Sequence, residues 1–296
     1  MALIKNITLG CDPEFGLVNP EGTIVNAMGC VKEQIGVSFG LDHGGRIMEL
    51  RPAPSPTPMG LVDNIRALMV KGLSLNPETS KHRWKAGSMV DTDAIGGHVH
   101  LGHKSFIDSP LGNRVIELLN RVVTPLFILL EHPVEAVHRR VGTGYGAVSG
   151  SNSMRNQPHG VEYRALPSWL GKPEHALGAI SLSHLVACNS DTTDMVKSIM
   201  SLPQIDLEAL ENCDKKYISA YIYEIAKVVR NLESFGDHRS AIVKVFQNIQ
   251  AGVTLDLGDM KEEWKLEPIK GEAKKKLKAE AVAVGSGDAE YDDEDE

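Results

Sequence analysis

Four short stretches of this chain set ionisable residues one position apart inside segments that otherwise read as strands. They are Asp12 and Glu14 in "LGCDPEFGLV", Glu49 and Arg51 in "IMELRPAP", His98 and His100 in "IGGHVHLG", and Glu162 and Arg164 in "HGVEYRALP". Side chains two residues apart on a strand point to the same face. One such pair reads as the solvated side of an antiparallel sheet. Four of them, if their strands share a sheet, gather carboxylates, imidazoles and guanidiniums on one surface. Repulsion among Asp12, Glu14, Glu49 and Glu162 then raises their pKa values and opposes folding unless positive charge sits between them. Divalent cations meet that need. Magnesium and manganese take mainly oxygen ligands, and manganese also accepts imidazole. Zinc chemistry fits poorly, because carboxylates outnumber histidines and no H-E-x-x-H is present. Carboxylates beside arginines suit a site that holds metal and phosphate together.

Around these strands the chain reads as an α+β domain. Residues 1 to about 52 alternate apolar runs with turn signals, which predicts strands joined by tight turns. The spacing of Leu61, Ile65, Leu68 and Met69 predicts a helix after "RPAPSPTPMG". "KHRWKAGSMV" reads as a strand, and residues 110–131 as a long helix with Pro125 as a kink or break. A glycine- and serine-rich loop, "VGTGYGAVSGSNSM", runs into the strand "VEYRALPSWL". From residue 173 to about 250 the pattern is mainly helical. The chain shows no internal repeat. Residues 1–270 form one expected domain, and 271–296 a charged tail expected to be disordered or weakly helical.

Bulk properties narrow the class. Of 296 residues 42% are hydrophobic and only 5% aromatic, so the core is mostly aliphatic. The net charge of −8 is concentrated in the ending "DAEYDDEDE", and a basic run, "KGEAKKKLKAE", precedes it. No broad basic field supports nucleic-acid binding. The four cysteines are widely spaced with no C-x-x-C, which suits reduced thiols in a cytosol. The opening "MALIKNITLG" does not read as a signal peptide, and the longest apolar run, near "VVTPLFILLE", falls short of the ~20 residues a membrane span needs.

The ordered set "GCDPEFG", "ELRP", "GGHVHLG" and "GVEYRALPSW" resembles the phage-associated type 2 carboxylate–amine (COOH–NH2) ligases, with glutamine synthetase and glutamate–cysteine ligase as more distant relatives. The resemblance covers roughly residues 8–190. It implies a curved, mainly antiparallel sheet forming a funnel-like face packed with helices, as in glutamine synthetase. It implies ATP and Mg²⁺ or Mn²⁺ as cofactors, an acyl-phosphate intermediate and an amide or isopeptide product. By the same likeness Asp12, Glu14, Glu49, His98 and Glu162 are the expected metal ligands. His98, His100, Arg51 and Arg164 are expected to contact the nucleotide. Arg164 is the expected catalytic arginine for the transferred phosphoryl group, with Arg155 as a second phosphate or substrate contact. The glycine-rich loop is the expected flap against water. Expected partners are small-molecule or peptide carboxylates and amines, a second copy of the chain, and a basic partner for the acidic tail. Neither nucleic acid nor membrane is expected, and the location implied is the cytoplasm, of a bacterial host if the chain is phage-encoded.

Other readings of the same residues stay open. A non-catalytic descendant would act as a binding or virion-assembly component, and a metal-dependent hydrolase would use the same carboxylates without forming a bond. His43, beside two glycines, reads as a structural or solvated turn residue. Arg139 and Arg140 read as helix-capping or phosphate-facing. Cys11, Trp84 and Trp169 read as core.

Overall fold

The structure, a computed structural model, describes residues 3–35, 38–148, 151–203 and 205–285. Its strands are β1 (Thr8–Cys11), β2 (Glu14–Val18), β3 (Ile24–Val25), β4 (Phe39–Asp42), β5 (Ile47–Leu50), β6 (Arg83–Lys85), β7 (Met89–Val90), β8 (Asp93–Ala94), β9 (Val99–Gly102), β10 (Met154–Gln157) and β11 (Gly160–Tyr163). The helices that build the core are α1 (Pro58–Leu75), α2 (Pro110–Leu130) and α4 (Pro173–Asn189), and the short, mostly exposed α3 (Pro133–Val137) follows α2. The remaining helices are α5 (Thr193–Met200), α6 (Leu207–Glu211), α7 (Lys215–Ser219), α8 (Ile222–Asn231), α9 (Phe235–Gln250), α10 (Met260–Glu263) and α11 (Gly271–Gly285).

Two antiparallel sheets share the polar strands. The first has the order β1-β9-β11-β10, and the second runs β3-β2-β5-β4 with β6 also paired to β2. The chain crosses from one to the other between Cys11 and Glu14, where Pro13 cannot donate to a ladder. Asp12 therefore belongs to the end of the first sheet and Glu14 to the second.

Register explains which face is polar. Gly10, His100, Glu162 and Arg155 lie level across the four strands, and Thr8, Gly102, Gly160 and Gln157 form the next row. Carrying the register one step the other way sets Asp12, His98, Arg164 and Ser153 level. The residues between, Leu9, Leu101 and Val161 with Cys11, Val99 and Tyr163, point to the opposite face and are buried. Hydrophobic burial on that side pins the register, because a slip of one residue would exchange the two faces. At Gly160 the strands close tightly: an added Cβ would fall 2.1 Å from the Leu101 carbonyl oxygen.

The helices cover the apolar face. Thr57 caps α1 by accepting from the Gly60 amide, and Pro58 follows as a first-turn proline. Leu61, Ile65, Leu68 and Met69 are its buried stripe, as their spacing predicts. In the same way Ser109 caps α2, which runs unbroken through the buried Pro125. The "KHRWKAGSMV" stretch is two short strands, β6 and β7, separated by the turn at Gly87. Trp84 and Trp169 are fully buried. Residues 271–285, the start of the tail expected to be disordered or weakly helical, form α11, whose Leu277 packs against Leu75. The acidic run 286–296 lies outside the described residues.

One core histidine makes stability depend on pH. His175 in α4 is 1% exposed, and neither ring nitrogen has a hydrogen bond. Burial pulls its pKa down to about 4. The unfolded chain takes up a proton at ordinary histidine pKa values that the folded chain refuses, so stability falls as the pH drops through 6.5 toward 4. The expected loss from this group between pH 7 and pH 4.5 is about 2 kcal/mol. Denaturant unfolding of His175→Leu at both pH values should show a pH difference smaller by that amount, and an unchanged difference would remove His175 as its source.

Candidate active site

The polar faces of both sheets border one cavity of about 1060 Å³. Its lining includes all nine residues singled out by pattern and resemblance: Asp12, Glu14, Glu49, Arg51, His98, His100, Arg155, Glu162 and Arg164. Glu14, Glu49, His98 and Glu162 are buried, whereas Arg155 and Arg51 reach toward solvent.

On the first sheet, imidazoles separate the acids. His98 Nδ1 lies 3.1 Å from Asp12 Oδ1 and 3.3 Å from Glu162 Oε1, and His100 Nε2 lies 3.3 Å from Asp12 Oδ2. Arg164 Nη1 stands 3.3 Å from the same Glu162 oxygen. Gln157 donates to the other oxygen, Oε2, at 2.6 Å, so Glu162 presents Oε1 alone. Burial opposes ionisation of Asp12, yet His98 and His100 hold its carboxyl well below the usual range. The complementary shift raises His100, with burial again opposing and Asp12 prevailing.

On the second sheet the acids face each other. Glu14 and Glu49 are direct cross-strand partners, an arrangement that is unfavourable when both are charged. Burial, with Asp42 beside it, pushes Glu14 well above the ordinary carboxylate range. Burial also lifts Glu49, to about 8, with Arg51 resisting and Asp12, Asp42 and Glu162 adding to the rise. Arg51 pairs with Glu49 through its guanidinium. Asp42 moves down, against burial, because it shares a hydrogen bond with Glu14.

Two compact donor sets result among the described residues. Asp12, His100 and Glu162 can each offer one atom within 4.8 Å of the others, and so can Glu14, Asp42 and His43. His100 rather than His98 completes the first set, while Glu49 belongs to neither. The buried oxygens Asp12 Oδ1, Glu49 Oε2 and Glu162 Oε1, together with His100 Nε2, lack a well-formed hydrogen bond. Oxygen-rich sets with one imidazole each match magnesium or manganese better than zinc.

Tyr145, Asp42 and Gln157 carry no prior assignment. Tyr145 hangs from the glycine-rich loop. Its hydroxyl lies 3.2 Å from Glu14 Oε1 and 3.2 Å from His98 Nε2, bridging the two sheets. The only aromatic between Val141 and Met154, it had a signal in "GTGYG". Gln157 follows the alternation of the other strands, two residues after Arg155. His43 is in a turn with φ +46, as its glycines suggest, yet its Nε2 faces Asp42 at 3.9 Å and Glu14 at 4.0 Å. Arg139 and Arg140 do not face the cavity. Arg139 donates to the carbonyls of Ile95, Ala165 and Leu166, and Arg140 forms a buried fork with Glu131 at 2.6 and 3.0 Å. Arg139 thereby ties the loop's root to the segments flanking β9 and β11, and Arg140 ties it to the end of α2. Gly146, with φ +71, lets the loop pass over Arg139, where a Cβ would meet Nη1 at 1.9 Å.

The family profile described as Phage phiEco32-like COOH.NH2 ligase-type 2 matches residues 9–266. The chain belongs to this family. It is thus a carbon–nitrogen ligase of the carboxylate–amine class. No curated protein matches the ligase in sequence. Among solved structures, PafA, crystallised in complex with the prokaryotic ubiquitin-like protein Pup whose ligase it is, superposes with a TM-score of 0.50 at 11% identity, over 89% of this chain and 67% of PafA. GmaS without ligand gives 0.49 at 14% identity, over 83% and 69%. A bifunctional glutathione synthetase from Pasteurella multocida gives 0.43 at 13% identity, and the ligase spans about half of it, 52%. At these identities the PafA likeness bears on the fold alone, and that fold is glutamine-synthetase-like. Among the described residues, no helix of the ligase is long and apolar enough to cross a membrane.

Proposed function

We propose that the ligase is ATP-dependent and joins a carboxylate to an amine through an acyl phosphate. The observation that carries this reading is the convergence of buried, incompletely hydrogen-bonded carboxylate oxygens from two sheets on one cavity that also holds Arg51, Arg155 and Arg164. The residues fit divalent cations. Asp12, His100 and Glu162 would hold one, and Glu14, Asp42 and His43 another, with His98 and Glu49 beside them. Bound there, Mg²⁺ or Mn²⁺ would neutralise the phosphate charge that develops during transfer.

In the first step a substrate carboxylate oxygen attacks the γ-phosphorus of ATP, the bond to the β–γ bridging oxygen breaks, and ADP leaves. In the second, an amine nitrogen attacks the acyl carbon, phosphate departs with the carbon–oxygen bonding pair, and the nitrogen loses a proton. Arg164 is placed beside Glu162 to stabilise charge on the transferred phosphoryl oxygens. Arg155, one row away on the edge strand, contacts a second phosphate or the incoming acid. The Tyr145 loop covers the hollow and keeps water from the acyl phosphate. Single ligands take cavities of about 300–1,000 Å³, so the volume of about 1060 Å³ suits a ligand as large as a nucleotide.

The family match over residues 9–266 supports one catalytic unit through about residue 270; a phage-encoded chain would act in the cytoplasm of a bacterial host. The test is incubation of the full chain with ATP, Mg²⁺ and pools of carboxylates and amines, read by ADP release and mass spectrometry. The expected result is carboxylate-dependent ADP release and a product equal in mass to acid plus amine less water. ADP release without a joined product would favour a hydrolase, and no nucleotide turnover would favour an assembly protein.

A further inference from the structure

Away from the cavity, a second cluster of ligating side chains joins α4 to α9. His184 and Cys188 are four residues apart on α4 and so share a helix face. Their atoms meet, with Cys188 Sγ 3.5 Å from His184 Nε2. The other nitrogen of the same ring, Nδ1, lies 3.3 Å from Nε2 of His238 on α9. The two imidazoles stand edge-on at 89° with centroids 5.1 Å apart. His238 is buried, whereas His184 and Cys188 are part-exposed and reachable from solvent.

We propose that Cys188 and His184 chelate a borderline transition-metal cation of the zinc type, with His238 holding the His184 ring in the tautomer and orientation that does so. Zinc–sulfur and zinc–nitrogen bonds of about 2.3 and 2.0–2.1 Å at a tetrahedral angle set the two donors about 3.5 Å apart. The thiol and imidazole already stand at that separation. A ligating imidazole characteristically gives its second N–H to a fixed acceptor, which sets the tautomer. His238 Nε2 occupies that acceptor position. When His184 Nδ1–H donates there, the Nε2 lone pair faces the sulfur side, where the cation would sit. Burial lowers both imidazoles below the ordinary histidine value, which favours their neutral, single N–H forms, and raises the Cys188 thiol to about 11, which a bound cation would have to overcome. On binding, the thiol proton goes to solvent and the remaining coordination positions are filled by water.

The other cysteines do not offer this chemistry. Cys11 and Cys30 are buried, and buried Cys213 contacts the Arg140 guanidinium at 3.4 Å. The Cys188 carbonyl also accepts from the Ile4 amide, so a cation at Cys188 would reinforce the point where the N-terminal segment, α4 and α9 converge.

The test is a Co²⁺ titration of the full chain in excess Mg²⁺, read by the thiolate-to-cobalt charge-transfer absorption. Cys11 borders the ligase cavity but is buried on the strand's apolar side, and a band arising there would survive Cys188→Ser. The expected result is one band-forming site per chain, reversed by Zn²⁺, lost in Cys188→Ser and intact in Glu162→Gln. His238→Gln should weaken cobalt affinity by about 10–100-fold. No thiolate band in the unmutated chain, or a band that survives Cys188→Ser, would overturn the site. Unchanged affinity in His238→Gln would overturn the part given to His238.

Discussion

Glu162→Gln is expected to abolish ligase turnover, by about 10³-fold or more, while the chain stays folded. Glu162 is 1% exposed and sits at the centre of the first sheet's polar grid, shared by His98, Arg164 and Gln157. Glutamine keeps its shape and removes its charge. The loss falls on cation and phosphate binding, because Oε1 is the oxygen the surrounding hydrogen bonds leave open. Without divalent cations the melting temperature should change little, because relief of Glu49, which Glu162 helps to raise, offsets the lost pairs with His98 and Arg164. Added Mn²⁺ at about 100 times its dissociation constant should stabilise the unmutated chain by about 2.7 kcal/mol and the variant far less. Turnover within tenfold of the unmutated enzyme would remove Glu162 from the site.

Arg164→Lys is expected to separate transition-state from ground-state binding. The substitution keeps one positive charge but loses the planar fork that matches phosphoryl oxygens. If Arg164 stabilises the transferring group, kcat should fall by about 100-fold or more while the KM for ATP changes only a few-fold. If it only balances the charge of Glu162, lysine should restore most of the activity. Steady-state kinetics with saturating acid and amine distinguish the two outcomes.

Much of this site can be read in the sequence because a sheet turns sequence period into geometry. Alternation alone places His98 with His100, and Glu162 with Arg164, on the face opposite Val99 and Tyr163. What alternation lacks is partner and register. It cannot tell that Asp12 and Glu14 divide between two sheets at Pro13, or that Glu49 lies opposite Glu14. His43 and Asp42 sit in and beside a turn, where no period applies, so their approach to Glu14 follows only from the pairing of β4 with β5. Tyr145 is brought over the site by the buried contacts of Arg139, which are long-range and leave no local mark. The start of the tail illustrates the converse. Its composition is that of a solvated segment, but a single leucine, Leu277, finds Leu75 and anchors a helix.

In the proposed mechanism, cations draw acids from both sheets into one hollow. Counting free Mn²⁺ by electron paramagnetic resonance during titration, with and without a non-hydrolysable ATP analogue, measures that directly. Two tight ions per chain in the presence of nucleotide, with Glu14→Gln and Glu162→Gln each losing one, is the expected outcome. A chain that leaves all the Mn²⁺ in solution, or whose binding is indifferent to both substitutions, would contradict it.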